Sequence, residues 1–456
     1  MSTVIIGGGI SGLSAAYYLA KRGIPSTILE SRPRLGGVIQ TERVEGCTIE
    51  AGPDSFLSAK PAALELIRDL GMSDEVIGSN DHLRITFVKK NGRLVPLPDG
   101  LMMMVPTKIL PLLTTGLLSP GTKVRMGMEL LRAPKLRGDD ESVADFVREH
   151  YGQEAVDYLA EPLLSGIYGG DPRELSVKSV LPRFVELSEK YGSLTRGVLA
   201  SRALAPKPKG GPAPLFRTLK GGLGDLVEAI ARAIATHSTV RTGRAEAIER
   251  SGAGYRVRVA GEWMEAEQIV LACEAHSAST LIQGLDARAA ELLGAVGYSS
   301  SMTVAIGYRA ADLTQRPEGF GFLVPKKERK RLVACTWVGT KFSHRVPDDK
   351  VVARCFLGGA ADAGILNESD GAVIAAVTGE LREIAGITAT PAFTRVARWP
   401  RAMAQYPVGH GARIAELEAR TAALPGLYLA GNAYQGIGIP DCIRMGRAAA
   451  NKIGGA

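Results

Sequence analysis

A chain of 456 residues with 45% hydrophobic and 22% charged side chains can fill about two or three packed domains, and its composition excludes a disordered chain or a coiled coil. The net charge of +8 comes without zinc-finger spacing, a basic recognition helix or an Arg/Gly repeat, so no nucleic-acid partner is expected. Five cysteines and six histidines lack metal-ligand or C-x-x-C spacing, which points to no metal, no disulfide framework and a reducing, cytoplasmic setting.

The opening MSTVIIGGGI lacks a basic n-region and a cleavage pattern and reads directly as a strand entering a glycine loop, so no presequence is expected. Residues 3–8 form that strand, and Leu13, Ala16, Tyr17 and Ala20 share one face of the helix after it, which Gly23 ends. An apolar run at 26–29, closing on Glu30, completes a strand-helix-strand unit. A second helix spans 61–70, and residues 82–98 alternate around an Asn91-Gly92 turn as a hairpin.

From about 100 to 200 the pattern is mainly helical, beginning with LMMMVPTKILPLLTTGLL. Its 101–118 stretch is apolar, but Pro106, Lys108 and Pro111 interrupt it at the lower length limit for crossing a bilayer, so a spanning helix is rejected. Lys108, Lys123, Arg125, Arg132, Lys135 and Arg137 give it a basic edge, leaving two readings, an interfacial patch or a buried helical subdomain. APKPKGGPAP at 205–214 reads as a linker. A helix at 226–234 and strands at 238–248, 254–260 and 268–273 follow, then strands at 300–308, 320–325, 331–337 and 351–358, a wall suited to a substrate pocket. The last strand is 426–429, and the last helix starts near Pro440.

The sharpest motif is Gly7-x-Gly9-x-x-Gly12 between strand and helix. Gly7 permits the turn, Gly9 lets backbone approach a pyrophosphate, Gly12 permits close helix contact, and the helix N-terminus offers free N–H groups to the phosphates. Glu30 stands where an acid binds a ribose hydroxyl and repels a 2′-phosphate. NAD and FAD both satisfy this unit. Further on, Arg34, Gly36 and Gly37 extend the phosphate site, Glu50 to Phe56 turn toward the cofactor, and Gly431, Asn432, Gly436 and Gly438 precede a helix whose N-terminus suits a flavin carbonyl.

The motifs GGGISGLSAAYYLAKRG, LGGVIQT, EAGPDSF, EPLLSGIYGGDP, GFGFLVP, CFLGGA and GNAYQGIGIPDCI, spread over both ends and the middle of the chain, resemble the bacterial branch of the oxygen-dependent protoporphyrinogen and coproporphyrinogen III oxidase family, within the amine-oxidase-like flavoproteins. The resemblance implies an α/β plus α+β fold in three parts. A Rossmann-like FAD-binding domain takes 1–80, 215–290 and 400–456, and a mixed-sheet substrate domain takes 81–99 and 291–399. A helical subdomain of membrane-associated type takes 100–214. FAD is the implied cofactor, held by Gly7, Gly9, Gly12, Glu30, Arg34, Gly36, Gly37, Gly52, Pro53, Asp54, Val240, Gly431, Asn432, Gly438 and Ile439.

By the same resemblance a reduced tetrapyrrole loses six electrons to the flavin in three steps, with O2 as final acceptor and heme synthesis as the setting. No acid-base residue is expected, since the flavin carries the chemistry. Gly169 and Gly170 match positions beside flavin or substrate, although both could merely shape the turn before Asp171-Pro172. Leu323 and Phe356 match residues that sandwich the macrocycle, although by themselves they read as core. One departure concerns Thr86, which stands where plant and animal members hold a propionate with arginine, so that Arg84, Lys89 or Arg93 substitutes or the substrate sits differently, and a tetracarboxylate substrate is favoured. Peripheral contact with the inner membrane face, contact with the next heme-pathway enzyme, and a monomer or homodimer complete the implied picture. The alternatives are a polyamine oxidase, for which the Gly-rich C-terminal turn lacks an aromatic cage beyond Tyr434, a carotenoid desaturase, for which SGIYGGDP is foreign, and a non-catalytic flavin-binding or membrane-docking protein. His410, in YPVGHGARI, is either a loop residue or part of the C-terminal flavin wall.

Overall fold

The computed structural model describes residues 2–204 and 213–453; most of the expected linker, 205–212, lies outside them. In chain order, β1 (Thr3–Ile6), α1 (Ile10–Ala20), β2 (Ser26–Glu30) and α2 (Ala62–Asp69) open the fold. The hairpin β3 (Thr86–Lys90) and β4 (Arg93–Pro96) follows, then α3 (Ile109–Thr114), α4 (Pro120–Met128), α5 (Val143–Tyr151), α6 (Glu161–Tyr168) and α7 (Leu194–Leu204). Next come α8 (Gly224–Ile234), β5 (Ser238–Thr242), β6 (Gln268–Leu271), β7 (Tyr298–Arg309), β8 (Gly321–Leu323), β9 (Ala334–Trp337) and β10 (Lys350–Gly358). The chain closes with α9 (Asp370–Ala385), β11 (Phe393–Ala404), α10 (His410–Ala422), β12 (Leu427–Leu429) and α11 (Ile439–Ile453).

These elements form two compact units, one from residues 2–78, 215–298 and 411–453, the other from 79–204, 213–214 and 299–410. In the first, a parallel sheet runs β5-β2-β1-β6-β12. β1 sits at its centre, with Ile5 opposite both Ile28 and Val270, and its four residues are all buried, as an apolar run covered on both faces must be. Ten of the eleven residues of α1 are buried, so this helix is an interior layer rather than a surface one. It is covered by α11, and a Cβ at Gly446 would stand 2.3 Å from the Ser11 carbonyl oxygen, so the glycine lets the two ends of the chain cross closely.

The second unit is built on a mixed sheet, β11-β7-β10-β9-β8-β3-β4. Val304, Phe322, Cys335, Cys355 and Leu357 lie on the face packed against Val373, Val377 and Leu381 of α9, forming the core of this unit. The opposite face carries two cross-strand rows, Val88, Leu323, Ala334, Phe356 and Thr303, then Thr86, Gly321, Thr336, Arg354 and Ala305. Among the helices, Glu129 is fully buried and accepts from His150 Nδ1 at 2.9 Å, from Ser193 Oγ at 2.7 Å and from the Leu194 amide at the start of α7. Burial pushes its carboxyl up, but the bonds from His150 and Ser193 outweigh this and hold it below the ordinary carboxylate value.

Several expectations need correction. The 101–118 stretch does not begin as helix: Leu101–Met102 and Val105–Pro106 pair as a short hairpin around Met103, whose φ of 54° is left-handed, and only Ile109–Thr114 is helical. The strand Glu262–Ala266 and all of β11 went unread, because their alternation is broken by charged residues and by Pro400. A domain boundary at 400 falls inside β11, which belongs to the second unit through residue 404, and the helices of 100–204 share that unit with the sheet. Among the described residues no helix is long and apolar enough to cross a membrane. Ile109 and Leu110 are nonetheless about three-quarters exposed (75% and 70%), and Leu113, Val124, Met128 and Leu131 are exposed near them in sequence, whereas Met104, Val105, Leu117 and Leu118 are buried, so the region has both a core side and an apolar surface.

Candidate functional site

In the first unit the glycines of the N-terminal motif are required by the backbone around them. Gly7 has φ 111°, and a Cβ there would lie 2.7 Å from the Ala272 oxygen; one at Gly12 would lie 1.9 Å from the Gly7 oxygen. Gly36 donates to the Gly8 oxygen at 2.8 Å, and a Cβ at Gly37 would stand 3.1 Å from the Gly9 Cα, so the second glycine pair lies against the first loop. Gly9 differs. It caps α1 in extended conformation, and a Cβ there would meet no protein atom nearer than 4.0 Å. A glycine that protein packing does not demand, at the N-terminus of a buried helix, is the cradle a pyrophosphate needs.

Glu30 holds the loop together: its Oε2 accepts from the Gly8 amide at 2.7 Å and its Oε1 from the Arg32 amide at 2.8 Å. The acid read as a ribose contact is thus also a strut of the glycine turn. Arg34 turns its guanidinium onto backbone, donating to the Gly37 and Ile39 oxygens at 2.7 and 3.1 Å. Burial, then the neighbouring Arg32, lowers its pKa. Gly52 is dictated by contact, since its Cβ would lie 1.8 Å from the Val38 oxygen. Pro53 and Asp54 follow it, and Asp54 accepts from Ser55 Oγ at 2.6 Å. Val240 is on β5, the sheet edge, opposite Ile28. Gly431 has φ 150° just beyond β12, with Asn432 next to it, and Gly438 directly precedes Ile439, the first residue of α11. Asp441, not singled out beforehand, pairs with Lys60 at 2.5 Å and packs against Gly436.

In the second unit Leu323 and Phe356 share one row of the sheet on the face away from the core, both half-buried, so neither is an ordinary core residue. Helix α6 lies over Leu323, where a Cβ at Gly166 would be 3.9 Å from Leu323 Cδ2. Two acids of the EPLLSGIYGGDP segment fasten this helix to the chain beyond β8. Glu161 accepts from the Lys326 amide and from Arg329 Nη2, each at 2.9 Å, and Asp171 pairs with Lys326 at 3.2 Å and with Arg173. Burial would raise the Asp171 carboxyl, but its bonds from Arg173 and Lys326 hold it well below the usual carboxylate range.

Gly169 ends α6 in the left-handed conformation, φ 59°, and its oxygen accepts from the Ala360 amide at 2.8 Å, bringing the SGIYGGDP and CFLGGA segments together. A Cβ at Gly170 would lie 2.2 Å from Gln405 Oε1. The left-handed φ thus favours glycine at 169, whereas at 170 a side chain would have to displace the end of Gln405. Gln405, which the sequence offered no signal for, clamps this turn by donating to the Tyr168 oxygen at 2.7 Å and to Ser299 Oγ at 3.0 Å. Thr86 sits half-buried in the row beside Leu323. Of the three substitutes for its missing charge, Lys89 alternates to the core side, toward Glu383 and the Glu328 oxygen. Arg84 precedes β3, and Arg93, exposed on edge strand β4, pairs with Lys90 and so lies on the Thr86 side of the sheet. His410 is not a loop residue: it begins α10, buried and stacked on Tyr406 with ring centroids 4.1 Å apart.

The family model described as flavin containing amine oxidoreductase matches residues 10–454. The chain belongs to this family. Within it, the chain is 36% identical to the coproporphyrinogen III oxidase of Bacillus subtilis (strain 168), covering 98% of this chain and 96% of that protein. It is 30% identical to protoporphyrinogen oxidase 1, chloroplastic, of Arabidopsis thaliana, covering 96% and 85%. A crystal structure from Exiguobacterium sp. 255-15, provisionally assigned as a protoporphyrinogen oxidase, superimposes with a TM-score of 0.88 at 32% identity over 99% of this chain and 98% of that one. Cyclohexylamine oxidase from Brevibacterium oxydans IH-35A, at 18% identity and a TM-score of 0.70, shares the fold. The protein is a FAD-dependent oxidoreductase of the porphyrinogen-oxidase branch of this flavoprotein family.

Proposed function

We propose that this flavoprotein oxidises porphyrinogens with O2, converting coproporphyrinogen III to coproporphyrin III and, less efficiently, protoporphyrinogen IX to protoporphyrin IX, as a step of heme synthesis. The six electrons and six protons lost by the macrocycle reduce three O2 to three H2O2. The observation that carries this reading is the non-core face of the seven-stranded sheet, where Leu323 and Phe356 stand in one row near a glycine turn. Likeness to coproporphyrinogen III oxidases along nearly the whole chain supports it.

On this reading Leu323 and Phe356 pack against the macrocycle faces, and the Gly169–Gly170 turn, held by Gln405, borders the site without side chains. Gly7, Gly9, Gly12, Glu30, Gly36, Gly37 and the Gly431–Ile439 segment hold FAD, with Arg34, Gly52, Pro53, Asp54, Val240 and Asn432 beside it. Bound there, the flavin supplies the two-electron acceptor that no side chain provides. Thr86, lacking an arginine's charge, favours the substrate with four carboxylates over the one with two. The exposed apolar residues of α3 and α4 beside Lys108, Lys123 and Arg125 suit peripheral contact with an anionic membrane face. Oxygen uptake and porphyrin fluorescence recorded together, with each porphyrinogen in turn, test the reaction: three O2 per porphyrin support it, and no uptake above the uncatalysed rate with either substrate overturns it.

A further inference from the structure

We propose that Glu161 and Arg329 are positioning residues: their buried ion pair fixes how far α6 stands from Leu323 and Phe356, and so the gap in which the macrocycle lies. This rests on the porphyrinogen reading above. β8 and β10 each pair antiparallel with β9, so they run the same way and leave the sheet at the same edge, with Leu323 level with Phe356 through Ala334. Two strand spacings, roughly 10 Å, separate them. Helix α6 has eight residues and is about 12 Å long, enough to reach from one strand to the other. Its first residue, Glu161, accepts from the Lys326 amide and from Arg329 Nη2 in the turn after β8. Arg329 donates onward from Nε and Nη2 to the oxygen of Val324, the residue after Leu323. Just past the other end of α6, the Gly169 oxygen accepts from the Ala360 amide, two residues beyond β10. The helix is thus tied at each end to the exit of one of the two strands assigned to the macrocycle. In its middle the contact is loose: a Cβ at Gly166 would meet only Leu323 Cδ2 within 4 Å, at 3.9 Å, besides the helix's own backbone.

The burial of the pair suits it to this task. In the neighbouring pairs Asp157–Lys327 and Asp171–Lys326 the lysines are 44% and 48% exposed, whereas Arg329 and Glu161 are 8% and 10% exposed. Exposed pairs hold long side chains loosely and contribute little. Charges taken out of water cost desolvation, which is offset only in the one arrangement where both are fully bonded, so a buried pair contributes a defined geometry more than stability. Glu161 meets that demand with a further bond from Ser165 Oγ at 2.7 Å, one turn along α6, which couples the pair to the helix it places. Loss of electrons from the macrocycle depends on where it rests, and a displacement of about 1 Å can slow a reaction about a hundredfold. Neither member of the pair has to touch substrate to exert this effect.

The test separates two half-reactions of the FAD-loaded enzyme: flavin bleaching by saturating coproporphyrinogen III without O2, and reoxidation of the photoreduced, substrate-free flavin by O2. Only the first needs the macrocycle in place. In R329Q the limiting rate of bleaching is expected to fall about tenfold while reoxidation is unchanged, so the ratio of the two rates falls about tenfold. K327Q, which breaks only an exposed pair of the same turn, should keep the wild-type ratio. An unchanged ratio in R329Q, whether both rates fall together or only the melting temperature drops, would show a role in stability alone and overturn the proposal. An equal fall of the ratio in K327Q would overturn it too, since the effect would then belong to the whole turn. Should R329Q lose its flavin, the milder R329K decides by the same ratio: a fall supports the proposal, and no fall overturns it. Wild-type flavin bleached by neither porphyrinogen would overturn the porphyrinogen reading itself, and this proposal with it.

Discussion

The nucleotide unit and the substrate face solve opposite problems. In the first, glycines at 7, 12, 36 and 52 are demanded by backbone atoms within 3 Å of where a Cβ would stand, so the cradle is shaped by what cannot be added. In the second, the side chains themselves matter, and strand register decides which of them share a face. A site defined by exclusion tolerates almost no substitution, whereas one defined by side chains can be retuned.

The largest effect should come from breaking the exclusion. In G12V the new side chain would start 1.9 Å from the Gly7 oxygen, a clash with backbone that no rotamer relieves, so flavin absorbance after gel filtration should fall to near zero. Normal flavin content would mean that the loop is not the cradle.

Next is the polar core of the helical region. E129A leaves His150 and the α7 amides buried without their acceptor and should cost about 3–5 kcal/mol of stability at neutral pH. Because the folded Glu129 carboxyl lies below its unfolded value, its contribution is fully present above the ordinary carboxylate pKa and is lost as pH falls through the folded one. Thermal melts of wild type and E129A should therefore converge in acid. A constant gap would contradict this.

The contrast also explains what could be read in advance. The strand-helix-strand unit and its glycines were legible because most of the constraint is local, as at Gly12 against Gly7, where spacing in sequence is spacing in space, although Gly7 itself is also hemmed in by Ala272. Leu323 and Phe356 came only from family resemblance, because the face they belong to is assembled from strands at 86–90, 321–323, 334–337 and 350–358, and Gln405 came from nothing, because the turn it clamps lies more than 200 residues away in sequence. The same strand geometry removed one substitute offered for Thr86, since one position of alternation sends Lys89 to the core side. The 101–118 stretch misled for a local reason: its apolar residues resemble a helix, but Met103 and Pro106 turn it into a hairpin first.

Glu30 tests the cradle more gently. E30A removes a buried bond from the Gly8 amide and a partly buried one from the Arg32 amide, besides any ribose contact, so it should weaken FAD binding by about 2–3 kcal/mol, still less than G12V. Flavin titration of the apoprotein measures both, and a reversed ranking would contradict the account. The smallest change should be a gain. T86R adds a charge-assisted contact worth about 1.5–3 kcal/mol to the β3 end of the face, and kcat/KM for protoporphyrinogen IX should rise roughly tenfold. No gain would remove position 86 from the specificity argument.

The central claim is that the face carries porphyrinogen chemistry tuned to a tetracarboxylate. It is tested most directly by kcat/KM for coproporphyrinogen III and protoporphyrinogen IX, measured on the same wild-type preparation at one ionic strength with oxygen consumption recorded. Turnover of both, with coproporphyrinogen III favoured, is the predicted result. A preference of about tenfold or more for protoporphyrinogen IX would contradict it.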